Sequence, residues 1–342
     1  MTLQPWRATC IQMPSALAAK AETPEQAQTI IAGNLAKAVE LIAQACDSPQ
    51  PPQLVVLPEF ALQGPPHQHG IASWLELACG TIPGPMTAPL QKIAAERGIF
   101  VAGNLFERDE RWPGRFFNTC FLIDDSGDVI LRYRRINTAM WPSPHDFMDD
   151  YFAEYGVEGT FPVVDTRLGR LALIACGEIS VPEVVRAFML RGAEVLVHPT
   201  NEELSPGQEA AKIARAAENM MFVVSANVAG GIGFSYDGSV PGGRSRIIDF
   251  RGGTMAYQAD AEVSTTVSAE IDVEALRAAR RDLGLGNTLL RNRWEMYRPL
   301  MAEASFYPPN QFLQAPMPDS AATQPVAQAA LQNLVKAGVS IV

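Results

Sequence analysis

Short aliphatic runs recur along the first two-thirds of this chain, and segments of helical periodicity separate them. Leu54-Val55-Val56-Leu57, Leu171 to Ala175 and Val195-Leu196-Val197 are too short for buried helices and read as buried strands. Arg7 to Met13, Ile99 to Gly103 and Phe222 to Asn227 read as further strands. Between them, Thr23 to Ala45 carries Ile30, Ile31, Leu35, Val39 and Ile42 at helical spacing, and Ala88 to Arg97, Val181 to Arg191 and Gly207 to Met220 are also expected to be helical. Two hairpins are expected: Thr119–Ile123 with Asp128–Arg134, and Arg244–Phe250 with Val263–Ile271 across Gly252-Gly253. Strands alternating with helices, then hairpins, indicate an α+β (α/β layered) fold.

With 47% hydrophobic and 19% charged residues, the chain can bury a sizeable core. No linker precedes residue 300, so residues 1–300 are read as one domain. Residues 301–342 form a tail punctuated by Pro308, Pro309, Pro316, Pro318 and Pro325 and ending in a helix from Val326 to Ala337. Such a tail is either a loose terminus or an arm on a partner subunit.

A formal net charge of −10 speaks against a nucleic-acid partner, whose phosphates need a basic footprint. No apolar stretch is long enough to span a bilayer, and the N-terminus lacks the pattern of a signal peptide. Cys10, Cys46, Cys79, Cys120 and Cys176 are sparse and unpaired in spacing, as in a reduced, cytoplasmic protein. His67, His69, His145 and His198 have no metal-ligand spacing, so neither metal nor organic cofactor is expected.

Three reactive residue types sit at strand ends, where layered folds place their sites. Glu59 follows four buried aliphatics, and partial desolvation would raise its carboxyl pKa toward that of a general base. The plainer alternative is a first solvated loop residue. Cys176 ends a strand shortly before a helix near Val181-Pro182, whose dipole would favour the thiolate, while Gly177 gives the backbone freedom to turn. Taken alone, it could equally be an inert core thiol. Tyr133-Arg134-Arg135-Ile136 is a cationic strand end, with a solvated end for at least one arginine as its plain reading.

Together these residues resemble the nitrilase superfamily of carbon–nitrogen hydrolases, in which a Glu-Lys-Cys triad hydrolyses amides or nitriles. Val56 to Phe60 looks like the glutamate motif and Gly169 to Glu183 like the cysteine motif. Arg191 to Leu196, Ala214 to Asn219, Asn227 and Gly243 to Asp249 match further family segments in the right order. The resemblance covers roughly residues 5 to 300. It implies a four-layer α-β-β-α sandwich that assembles as a homodimer or higher homo-oligomer, with the tail crossing the dimer interface.

It also implies roles. Glu59 would take the Cys176 proton, and the thiolate would attack a small amide or N-carbamoyl compound, less favourably a nitrile, to give a thioester. Arg135, with the backbone N–H after Cys176, would hold the developing negative charge. The sequence departs from the family at this point. Arg135 stands where the family has lysine, and a guanidinium is larger, planar and has a pKa above ~12. Asp150 is the candidate for a second family carboxylate, Gly177 replaces a bulkier residue, and Glu178 fills an acidic position. Phe60, Trp141, His145, Gly177, Asn201 and Glu202 are the expected substrate-binding residues, with Trp141 to Gly159 as a long specificity loop. Two alternatives stay open: a weakened or inactive relative acting as a binding protein, and a Cys-His acyl transferase or thioesterase using His198.

Overall fold

The computed structural model describes residues 2–67, 69–138, 140–202, 205–230 and 242–340. Among these residues, twelve strands form two six-stranded sheets. The first sheet contains β1 (Trp6–Gln12), β2 (Leu54–Val56), β3 (Phe100–Arg108), β4 (Phe116–Ile123) and β5 (Val129–Arg134). The second contains β6 (Val164–Thr166), β7 (Gly169–Leu173), β8 (Val195–Thr200), β9 (Phe222–Asn227), β10 (Arg246–Ile248) and β11 (Thr254–Tyr257). The last strand, β12 (Thr265–Ile271), returns to the first sheet, so the orders are β12-β1-β2-β3-β4-β5 and β11-β10-β9-β8-β7-β6. Each sheet has three parallel strands at its centre, β1-β2-β3 and β7-β8-β9, extended by antiparallel neighbours.

The period-2 alternation of a strand explains the layering. Leu54 and Val56 face the core between the sheets, where they meet Leu171, Leu173 and Val197. Val55 and Leu57 point the other way, into a core shared with helices. Those helices are α1 (Pro24–Cys46), α2 (Ile71–Leu77) and α3 (Ala88–Arg97). Thr23 caps α1 by accepting from Gln26 N, Pro24 occupies its first turn, and Ala27, Ile31, Leu35, Ala38 and Ile42 form its buried stripe. After α4 (Met148–Thr160), the helices α5 (Pro182–Leu190) and α6 (Pro206–Asn219) carry residues packed into the core of the second sheet. The result is the α-β-β-α sandwich, completed by α7 (Val273–Arg281), α8 (Trp294–Glu303) and α9 (Thr323–Lys336).

Two expectations need correction. Val263–Ile271 does not pair with Arg244–Phe250: β10 pairs with β11 across the glycine turn, and β12 leaves to pair with β1. A two-glycine turn closes a tight hairpin, and the segment after Tyr257 is long enough to change sheets. Nor is Trp141–Gly159 an unstructured loop. Ser143 and Asp146 form a capping box on a 3-10 turn, Pro144–Phe147, which runs into α4. Part of the tail lies on its own domain: Asn310 N donates to His145 O at 3.0 Å, Phe312 N to Asp146 O at 2.8 Å, and Met317 and Val326 are buried. No helix among the described residues is long and apolar enough to cross a membrane.

Candidate active site

Parallel strands leave their carboxyl ends open at one edge of a sheet, and β2, β7 and β8 each deliver a polar residue there. Leu57 and Pro58 carry the chain from β2 to Glu59, which is fully buried, and Phe60 then turns in the left-handed region at φ 61°. Asn118 Nδ2 on β4 donates to Glu59 Oε1 at 2.8 Å, and Arg135 Nη1, just past β5, lies 3.4 Å from the same oxygen. Oε2 has no aligned hydrogen-bond partner among the described residues. Burial pushes the Glu59 pKa up, against the opposing pull of Arg135, Asn118 and the nearby Cys176 thiol.

Cys176 follows β7 and opens a 3-10 turn, Cys176–Ser180. It holds φ 47° itself, a conformation that costs a non-glycine residue about 1–3 kcal/mol and concentrates at functional sites. Gly177, expected to make the turn, is not the left-handed residue. The thiol donates to Asn201 O at 3.5 Å. Burial, then Glu59, push its pKa well above the usual thiol range, and Arg135 pulls it back. Desolvation and a neighbouring carboxylate thus oppose the thiolate that the start of a helix would favour. Burial works against the Arg135 cation, but Cys176, Glu59 and Glu178 outweigh it.

Glu178 holds the Arg135 segment in place. Its carboxylate accepts from Tyr133 Oη at 2.9 Å and from the backbone N–H groups of Ile136 and Asn137, both at 3.0 Å. Arg135 Nε in turn donates to Asn137 O at 2.9 Å. Arg134 is not a solvated strand end either, being buried against Glu107 and Asp109.

His198 on β8 is buried, with Nδ1 3.0 Å from Ser225 Oγ and Nε2 2.9 Å from the backbone oxygen of Cys176. Burial lowers its pKa to about 4. It contacts the carbonyl of Cys176 and not the sulfur, so the Cys-His reading loses its base. Asn201 and Glu202 are buried at the end of β8, and Lys212 Nζ on α6 lies 2.6 Å from Glu202 Oε2.

The remaining expected residues lie further out. Phe60 stacks on Phe106 with centroids 5.4 Å apart and meets Trp141 edge-on at 5.7 Å, forming an aromatic wall beside Glu59. His145 lines a neighbouring cavity of about 210 Å³ with Asn137, Trp141, Asp146 and Tyr307. Asp150 is exposed on the first turn of α4 and is not brought to the thiol.

Sequence reading passed over Asn118 and Lys212. Lys212 had a signal: Lys212, Arg215 and Asn219 share one helix face with Ala211 and Ala216, so the polar stripe faces inward. Asn118 had none, since its alternation with Phe117 and Thr119 is that of any strand.

Comparison with known proteins gives three kinds of likeness. The family model described as carbon-nitrogen hydrolase matches residues 7–281. Omega-amidase NIT2-B of Xenopus laevis is 27% identical over 253 residues, which is 73% of this chain and 87% of that protein. A formamidase of Bacillus cereus (strain Q1) is 29% identical over 242 residues, 69% of this chain and 67% of that one. Among solved structures, Nit3 of Saccharomyces cerevisiae, a member of the nitrilase superfamily, superimposes with a TM-score of 0.64 at 19% identity, covering 82% of this chain and 95% of that one.

Proposed function

The chain belongs to the carbon-nitrogen hydrolase family, hydrolases of carbon–nitrogen bonds other than peptide bonds, and from this we propose that it hydrolyses small amides or N-carbamoyl compounds through a thioester on Cys176. One observation carries the reading. Three separate chain segments bring a buried carboxylate, a guanidinium and a thiol together: Arg135 Nη1 lies 3.4 Å from Glu59 Oε1, and both charges act on the Cys176 thiol. Glu59 takes the Cys176 proton as sulfur attacks the carbonyl carbon, and Arg135 stabilises the oxyanion. Collapse breaks the carbon–nitrogen bond while Glu59 returns the proton to the leaving nitrogen. Water, deprotonated by Glu59, then cleaves the thioester to release the acid and the free thiol.

Relatives named as an omega-amidase and a formamidase support an amide substrate over a nitrile. All five cysteines are free, which supports a reducing, cytoplasmic setting. The exposed apolar residues of α8 support assembly as a homodimer. Ammonia release from a panel of small amides, N-carbamoyl amino acids and nitriles tests the activity, with Cys176→Ala and Glu59→Gln as controls. Release that vanishes in both variants is expected. Release that survives in Cys176→Ala would remove the thioester mechanism, and silence from a protein still alkylated at Cys176 would favour a relative that binds without turnover.

A further inference from the structure

A second buried ion pair adjoins the thiol. Cys176 Sγ reaches the carbonyl of Asn201, and the next residue is Glu202. Glu202 and Lys212 are both almost completely buried, with Lys212 Nζ 2.6 Å from Glu202 Oε2. Apart from that ammonium, neither oxygen of Glu202 has a partner among the described residues. The backbone of Glu202 is clamped as well. Its N–H donates to Asn227 Oδ1 at 3.0 Å, and Asn227 Nδ2 donates to Glu202 O at 2.9 Å. A buried ion pair is weak evidence for stability, because its desolvation cost is large and an apolar pair of similar volume often does as well. Such a pair beside a reactive thiol calls for a role in the chemistry.

We propose that Glu202 and Lys212 are a second charge pair of the hydrolytic centre: Glu202 acts on Cys176 through space, and Lys212 is the positioning residue that holds and neutralises it. The proposal rests on Cys176 being the nucleophile. Among the described residues, the charged groups that act on the thiol are Glu59, Arg135 and Glu202, with His198 on its carbonyl. Glu202 makes the thiolate harder to form and also raises Glu59. His198 feels both members of the pair, Glu202 favouring its cation and Lys212 opposing it. With Lys212 in place the charge of Glu202 is offset close to its source. Without it, the thiol would ionise beside two carboxylates with Arg135 as the one cation acting on it among the described residues. Position 135 thus carries a guanidinium, and the ammonium of the centre arrives from α6.

The test is the rate of alkylation of Cys176 by iodoacetamide in the full-length protein, read as a function of pH by mass spectrometry of the Cys176 peptide. No substrate is needed. Lys212→Met should slow alkylation about tenfold near neutral pH and move the profile up by about one unit. Glu202→Gln should move it down, Lys212→Met with Glu202→Gln should return it close to wild type, and Lys212→Arg should keep most of the reactivity. Circular dichroism checks folding, and if Lys212→Met does not fold, Glu202→Gln and the double variant carry the test. An unshifted profile in folded Glu202→Gln overturns the proposal. So does equal slowing in Lys212→Met and the double variant, because that would be packing and not charge. An amide panel that stays silent counts against the hydrolase reading, whereas these profiles decide the charge pair.

Discussion

A methyl group at Gly177 would lie 3.3 Å from Arg135 Nη2, so the smallest side chain of the turn and the largest cation of the site are fitted to each other. Two departures from the family pattern are thereby one: the guanidinium occupies space that a bulkier residue after the cysteine would fill. Burial of the pair's surroundings leaves little room for the guanidinium to retreat, since its Nε is held by Asn137 O and its Nη1 lies against Glu59.

Gly177→Ala is therefore expected to act on Arg135. Gly177 is not in the left-handed region, so alanine costs no backbone strain, and the contact must open by a few tenths of an ångström. A donor moved off its line loses much of its worth, and kcat/KM should fall about tenfold. In an Arg135→Lys background the same change should cost less, giving a coupling of about 1 kcal/mol in a double-mutant cycle. Additive effects would mean that the two residues act independently.

The pH dependence of kcat/KM should report Glu59. The active form is the carboxylate, and burial raises its pKa above the ordinary 4.5, so activity should rise with pH along a limb displaced above the usual carboxyl range. Asn118 lowers that pKa by donating to the carboxylate. Asn118→Leu should move the limb to higher pH, and Glu59→Gln should cost about 10²–10⁴ in rate. A limb that stays in place in Asn118→Leu would show that another group titrates.

How far this site was legible follows from what each residue's neighbours in sequence reveal. Glu59 and Cys176 stand directly after aliphatic strands, so their position at strand ends could be read, as could the alternation that buries Val56 and Val55 on opposite faces. Register and strand exchange could not: β12 has the same alternating pattern whether it pairs with β10 or with β1, and only the closed sandwich decides. The burial and the carboxylate that oppose a Cys176 thiolate were not legible, because the helix start is visible in sequence whereas Glu59 lies 117 positions earlier. Asp150 was placed by its distance along the chain, and the capping box at Ser143 starts a helix that carries it to the surface.

His198 should make the protein less stable in mild acid. Its pKa is about 4 when folded against an ordinary 6.5, so the unfolded chain binds the extra proton first. Stability from this group is present above pH 6.5 and is lost as pH falls toward 4, by up to about 3 kcal/mol. Asp146 works the other way, since burial raises its pKa to about 6, and so the comparison must be between variants. Thermal midpoints of His198→Asn should fall less between these pH values than those of the wild type. Parallel curves would mean that His198 does not titrate with unfolding.

Self-association should run through α8. Its residues Met296 and Leu300 are 74% and 76% exposed, and Leu283 and Leu285 just before it are exposed still further. None of the residues of α8 is buried by the other described residues, so the helix owes little of its stability to them. An apolar set of this kind, left uncovered in one copy, is what an interface between copies buries, and a stable dimer needs about 800 Å² from each partner. A charge at its centre would have to be desolvated on assembly. Leu300→Glu should therefore shift the mass in light scattering from a dimer toward the 37.1 kDa of one chain, with the far-ultraviolet spectrum unchanged. A wild type that already elutes as a single chain would leave α8 without this partner.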